Sequence, residues 1–177
     1  PIAAARSALN STLPQQLREL PSSTARLQAA VRDGEICELA ALRADSSVDV
    51  NAAGPGGATP LISAVKQHAH GTLVQLLADP SVDVNLADED GKTPLIYACR
   101  DGQNKAVAAL LAKPAVNVNL ASSAGVTPLL MAAVKGHADL VAALCAAPAI
   151  DVNLSMGGST ALFLAAQLGH TEVVGSA

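Results

Sequence analysis

The triplet Thr-Pro-Leu opens at Thr59, at Thr93 and at Thr127, an unvarying step of about 34 residues, and a worn copy, Thr160-Ala161-Leu162, follows one residue short of the same step. A second marker keeps the period. Val48-Asp49-Val50-Asn51, Val82-Asp83-Val84-Asn85, Val116-Asn117-Val118-Asn119 and Ile150-Asp151-Val152-Asn153 are evenly spaced by that step without exception. Two unrelated markers that hold one phase over four copies imply a repeated structural unit. A unit of this length cannot bury its apolar face alone, so the copies must stack on one another.

Local chemistry gives the shape of a unit. Thr is a good N-cap, and Pro suits the first helical position, where its missing N–H costs little and its fixed φ is already helical. Leu61 with Ala64, Leu95 with Ala98 and Leu129 with Ala132 then face inward. Gly34, Gly102, Gly136 and Gly169 stand at one place in the period and end this first helix, because Gly tolerates a left-handed φ. The second copy has His68 at that place and Gly71 a little later, which predicts a differently shaped turn. A second helix is carried by Leu73, Leu76 and Leu77, by Val107, Leu110 and Leu111, and by Val141 and Leu144. Pro80, Pro114 and Pro148 mark its end, since Pro cannot continue a helix. The Val-Asp-Val-Asn segment reads as short and extended. It leads into a hairpin-like turn that carries Gly57, Gly91, Gly125 or Gly158. Only one Tyr and one Phe occur among the 177 residues, and Trp is absent. A core of Leu, Val, Ile and Ala suits closely stacked short helices better than a sheet sandwich.

The division that follows is an N-terminal segment over 1–21 and a repeat region over 22–177. Its copies are 22–58 (degenerate), 59–92, 93–126, 127–159 and 160–177 (incomplete). In the first segment Leu13, Leu17 and Leu20 share one helical face, which predicts a cap that covers the open end of the stack; a disordered leader is the alternative for Pro1 to Asn10. In copy one Arg26 replaces the Pro. Gly54-Pro55-Gly56-Gly57 reads as a turn rather than a phosphate loop, because no Lys-Ser/Thr follows it and no buried strand precedes it. Copy five stops within its second helix, which predicts a longer native chain.

With two helices, a turn and a Thr-Pro-Leu opening per unit, together with Gly136-His137 and Gly169-His170, the sequence from about Ala25 onward resembles the ankyrin-repeat family. The resemblance implies an all-α, right-handed solenoid with an N-terminal helical cap. Ankyrin units are usually about 33 residues long and carry T-P-L-H-x-A. Here the unit is one residue longer, and Asp79-Pro80-Ser81, Lys113-Pro114-Ala115 and Ala147-Pro148-Ala149 stand where a Gly is usual. The family His is replaced by Ile62, Ile96, Leu130 and Phe163, so apolar packing must substitute for its polar network. The resemblance also implies that His137 and His170 bridge turn backbones.

A net charge of −4 and the lack of a Lys/Arg run argue against a nucleic-acid or anionic-membrane footprint. No apolar run approaches the ~20 residues a membrane span needs. Cys37, Cys99 and Cys145 are odd in number, far apart and outside any zinc spacing, which predicts buried thiols in a reducing compartment. His68 and His70 are two ligands short of a four-coordinate metal site. No nucleophile elbow, zinc-protease or phosphate-loop motif occurs, and Asp49, Asp83 and Asp151 are spread one per unit rather than convergent. We therefore expect no catalysis, cofactor or metal. In the resembled family the loop tips and the outward ends of the first helices form a concave partner-binding face. By position these are Ala87, Glu89, Asp90 and Lys92, and Lys66, Gln67, Arg100, Asp101, Val134 and Lys135. The expectation is a cytoplasmic, monomeric, non-catalytic scaffold or adaptor that holds another protein. The alternatives are a targeting or inhibitory segment of a larger enzyme, and a secreted pathogen effector that engages host proteins.

Overall fold

A computed structural model describes residues 23–43, 45 and 48–176, with the side chains of 36, 37, 43 and 176 excepted. The cap expected over 1–21 and the buried thiol expected at Cys37 lie outside the described residues. Helices come in pairs: α1 (Ser23–Asp33) and α2 (Ile36–Arg43), α3 (Pro60–Lys66) and α4 (His70–Leu77), α5 (Pro94–Arg100) and α6 (Asn104–Leu111), α7 (Pro128–Lys135) and α8 (Ala138–Cys145), α9 (Ala161–Gln167) and α10 (Thr171–Ser176). The substantial helix contacts join the two members of a pair, or like members of adjacent pairs: α1 to α3, α3 to α5, α5 to α7 and α7 to α9 along one layer, and α2 through α10 along the other. The result is an all-α solenoid in which each unit is buried by its sequence neighbours.

The helix starts follow from the Thr residues. Thr59, Thr93, Thr127 and Thr160 are extended, and their hydroxyls accept from the N–H of Ile62, Ile96, Leu130 and Phe163. A cap of this kind contributes about 1 kcal/mol. Leu27, Leu61, Leu95 and Leu129 repeat one core position, each at most 4% exposed. Ile62, Ile96 and Leu130 are at most 1% exposed, so apolar packing does replace the family histidine in units two to four. Phe163 departs from that pattern. It is 57% exposed, because no further unit lies beyond it among the described residues. In unit one the equivalent position is Gln28, which stays polar: its Nε2 donates to the carbonyls of Ala52 and Ala58, and its Oε1 accepts from the Ser63 hydroxyl.

The Asp/Asn-Val-Asn segments are turns rather than strands. Asp49, Asp83, Asn117 and Asp151 each accept, through the side chain, the N–H two positions on. The following Asn then stitches its unit to the next. Asn51 Nδ2 donates to the Ser81 carbonyl (2.7 Å) while its Oδ1 accepts from Asp83 N (2.8 Å). Asn85 holds Ala115 and Asn117 in the same way, and Asn119 holds Ala149 and Asp151. The additional residue of each unit sits in the turn after the second helix, where Val82, Val116 and Ile150 donate back to Asp79, Lys113 and Ala147 around the Pro. Of the described tips only the last is a true hairpin, with β1 (Ser155–Met156) paired antiparallel to β2 (Ser159–Thr160). Pro55–Gly57 is a single 3₁₀ turn.

The turn at His68 corrects the expectation of a different shape. His68 adopts φ 56, the left-handed conformation that Gly102 and Gly136 hold at 65 and 73. Its neighbours make the same bonds as well: Ala69 N to Ala64 O and His70 N to His68 O correspond to Gln103 N to Ala98 O and Asn104 N to Gly102 O. The cost of a side chain at positive φ, about 1–2 kcal/mol, is outweighed by the surrounding packing.

Candidate functional site

The expected binding residues fall into one cluster and several outliers. At the cluster's centre is Tyr97 on α5, 5% exposed. It is placed one position before the inward Ala98, where units two, four and five carry Ser63, Met131 and Leu164. Lys66 Nζ, from the end of α3 in the preceding unit, lies 5.1 Å from the ring centroid. Arg100 Cζ, one turn on from Tyr97, lies 4.7 Å from it. Both distances are within the range of cation–π attraction. The Tyr97 hydroxyl donates to Asp88 Oδ2 at 2.5 Å. Asp88 Oδ1 also accepts from the N–H groups of Asp90 (3.1 Å) and Lys92 (2.9 Å). Lys92 Nζ closes the loop on Asp90 at 2.8 Å, and Arg100 makes a two-toothed pair with Asp101 at 2.6 and 2.9 Å.

The electrostatics follow from these bonds. Burial pushes the Tyr97 hydroxyl up to about 12, and the carboxylate of Asp88 adds to the shift. Burial would raise Asp88 too, but the Tyr97 hydroxyl and the two backbone donors outweigh it and hold Asp88 below its ordinary value. The Arg100 guanidinium lowers Asp101, and Asp101 in turn raises Arg100. These carboxylates are already engaged as acceptors, an arrangement suited to holding a fixed charged surface rather than to moving protons.

The other expected residues lie around this cluster. Gln67 is exposed at the end of α3, and Ala87 is exposed on the tip before α5. Glu89 is exposed at the same tip, and its N–H donates to the Gly56 carbonyl of the previous tip at 3.3 Å. Asp90 O likewise accepts from Ser123 N of the next tip, so the tips are laced together. Lys135 is exposed at the end of α7, one unit away, and the Val134 carbonyl lies 3.1 Å from His170 Nε2. His137 Nε2 meets the Arg100 carbonyl at 3.4 Å in the same way. Both histidines bridge units, as the resemblance implied. Sequence reasoning missed Asp88 and Tyr97 as site members. It also missed Gln103, whose Nε2 donates to the Val65 carbonyl at 2.8 Å in the role His137 and His170 play one and two units later. The signal was its position directly after Gly102.

One apolar cavity of about 170 Å³ opens between units four and five, lined by Leu129, Ala133, Val141, Cys145, Val152 and Val173 among others. Its cause is visible in the register. Cys145 stands where earlier units have Leu77 and Leu111, and Ala133 stands where they have Val65 and Cys99. Cys99 is buried and Cys145 half-buried, both as free thiols, and burial pushes Cys99 up to about 12. Among the described residues no three His, Cys, Asp or Glu side chains gather where they would hold a metal, and no helix is long and apolar enough to cross a membrane.

No curated protein matches the chain. A family model described as ankyrin repeats in three copies matches residues 27–122 and 114–175. Ankyrin repeats are general protein–protein interaction modules, typically without catalysis. With the capped helix pairs, the stacked layers and the bridging histidines in place, the chain belongs to the ankyrin-repeat family.

Proposed function

We propose that this chain is a non-catalytic scaffold that holds a partner protein along the loop tips and first-helix ends of units two to four, the concave face of an ankyrin stack. One observation carries the reading: Lys66 and Arg100, from successive units, are both held over Tyr97, and Tyr97 is itself tied to the tip through Asp88. Such a surface is ordered before a partner arrives, so binding loses less side-chain freedom. In this reading the five units over 22–177 act as one interaction domain behind the capping segment 1–21, and the chain works as a monomer.

The test is affinity capture from a lysate of the cells of origin, with the wild type and with Lys66→Glu combined with Lys135→Glu. Both lysines are exposed, so melting should change by no more than the equivalent of about 1 kcal/mol. The expected result is a set of captured proteins lost from the double variant. Retention of the whole set would place the binding face elsewhere.

A further inference from the structure

Each of the first four first-layer helices carries a basic residue in its last turn: Arg32, Lys66, Arg100 and Lys135. Arg32, Lys66 and Arg100 occupy one register of the repeat, and Lys135 is one position further on. The helices that carry them pack side by side, α1 on α3, α3 on α5 and α5 on α7. The cations therefore form a row along the stack, one per unit.

We infer that this row receives an acidic segment of the partner, lying extended along the stack with carboxylates at every third position; the inference rests on the reading of this face as the partner-binding one. Packed helices lie about 8–10 Å apart, and an extended chain advances about 3.3 Å per residue. Three residues therefore span one unit. The ring of Tyr97 gives an independent measure of that spacing. Lys66 and Arg100 lie 5.1 and 4.7 Å from its centroid, so no more than about 10 Å separates them.

A basic residue in the last turn also complements its own helix dipole, which accounts for one cation at a time. The distribution of countercharge goes further. Arg32 and Arg100 are paired with their neighbours Asp33 and Asp101. Lys66 and Lys135 make no ion pair among the described residues; of the nearby carboxylates Asp90 is paired with Lys92, while Asp88, hydrogen-bonded to the neutral Tyr97 hydroxyl, keeps its charge. The row therefore keeps positive charge without an ion-paired carboxylate at Lys66 and Lys135, on a chain whose net charge is −4. An acid attracted here is attracted locally, because the protein as a whole repels it.

Tyr97 makes this testable, since it is the chain's only tyrosine and Trp is absent. Its intrinsic emission reports the environment between Lys66, Arg100 and Asp88 alone. The probe is a capped peptide of four Asp-Ser-Pro repeats, in which Pro favours the extended form. The comparison peptide has the same composition with its four Asp residues consecutive. Binding is followed by calorimetry and by Tyr97 emission at low salt. The spaced peptide is expected to bind saturably with a change in emission, and more tightly than the clustered one. Lys66→Gln should weaken it by about two- to fivefold. Lys105→Gln, which removes an equal charge from the exposed face of α6, should leave it unchanged. Equal binding of the two peptides, equal loss from both variants, saturable binding without a change in emission, or no binding would each overturn the inference. If no peptide binds while the lysate partners are still lost from the double lysine variant, the acidic register falls and the binding face stands. If those partners are retained as well, both readings fall.

Discussion

The asparagine stitches give the sharpest test of how the stack is held together. In Asn119→Ala two hydrogen bonds between units disappear, from Asn119 Nδ2 to the Ala149 carbonyl (2.7 Å) and from Asp151 N to Asn119 Oδ1 (2.9 Å). The local turn survives, because it uses the Asn119 backbone N–H and the Asn117 side chain. Each net bond is worth about 1 kcal/mol, and the site is half-exposed, so water recovers part of the loss; the expected cost is about 1–2 kcal/mol. For a chain of this size that lowers Tm by roughly 3–6 °C. Asn153 supplies an internal control. It caps the same kind of turn, with its N–H on Asp151 Oδ1, but no described unit follows for it to stitch. Asn153→Ala should therefore cost less than about 0.5 kcal/mol. Urea titrations of the two variants at neutral pH measure the difference. Equal costs at 119 and 153, or a negligible cost at 119, would refute the argument that these side chains act between units.

Further predictions follow from single contacts. Gly136→Ala must hold Ala at φ 73 with its Cβ 2.8 Å from His170 Nδ1, whereas Gly169→Ala meets only the backbone strain at φ 78, with open space around it. Gly136→Ala should cost at least about 1 kcal/mol more, and equal urea midpoints would contradict the ring seat. Tyr97 should titrate near 12 rather than 10 in the tyrosinate absorption band, with Asp88→Asn bringing it part of the way down, because burial remains. Its raised folded value means that this contribution to stability is complete below about pH 10 and is lost as pH rises through 12, so Tm should fall across that window. Titration at 10 in the folded protein would contradict both the burial of the ring hydroxyl and its Asp88 bond, and an unchanged value in Asp88→Asn would contradict the bond alone. Cys145→Leu restores the side chain that Leu77 and Leu111 supply in earlier units, beside the 170 Å³ cavity. It should stabilise by about 1 kcal/mol in a thermal melt; a lower Tm would show that the cavity is closed in solution.

What the sequence showed well was local chemistry repeated in phase. A Thr three positions before its N–H partner, a Pro at the first helical position and a Gly at the helix end each act within one turn, so a constant spacing sufficed to place them. The family likeness and the all-α solenoid rest on such features. The turn at His68 was misjudged because residue identity suggested a new shape, while tertiary packing imposed the same left-handed backbone as in the other units. The Tyr97 cluster was legible only as a set of charged helix ends and an acidic tip. Lys66 meets Tyr97, and Gln103 meets Val65, from adjacent units, and no local pattern marks which side chains will face each other at that range. The cavity was hidden for a related reason. Cys145 and Ala133 are each ordinary residues, and only their coming together on the face of unit four that meets unit five opens a space.

The central claim is that each helix pair is buried by its sequence neighbours alone, which makes the stack a linear array with a weak end. Native-state hydrogen exchange in rising urea tests this directly, amide by amide. The substantial helix contacts of the α9–α10 pair outside itself are with unit four, and among the described residues the pair borders the cavity and has no onward asparagine stitch. Its amides should exchange through openings that leave α3 to α6 protected, with opening energies that rise toward the middle of the stack. A single opening energy shared by α3 through α10 at every urea concentration would contradict the account.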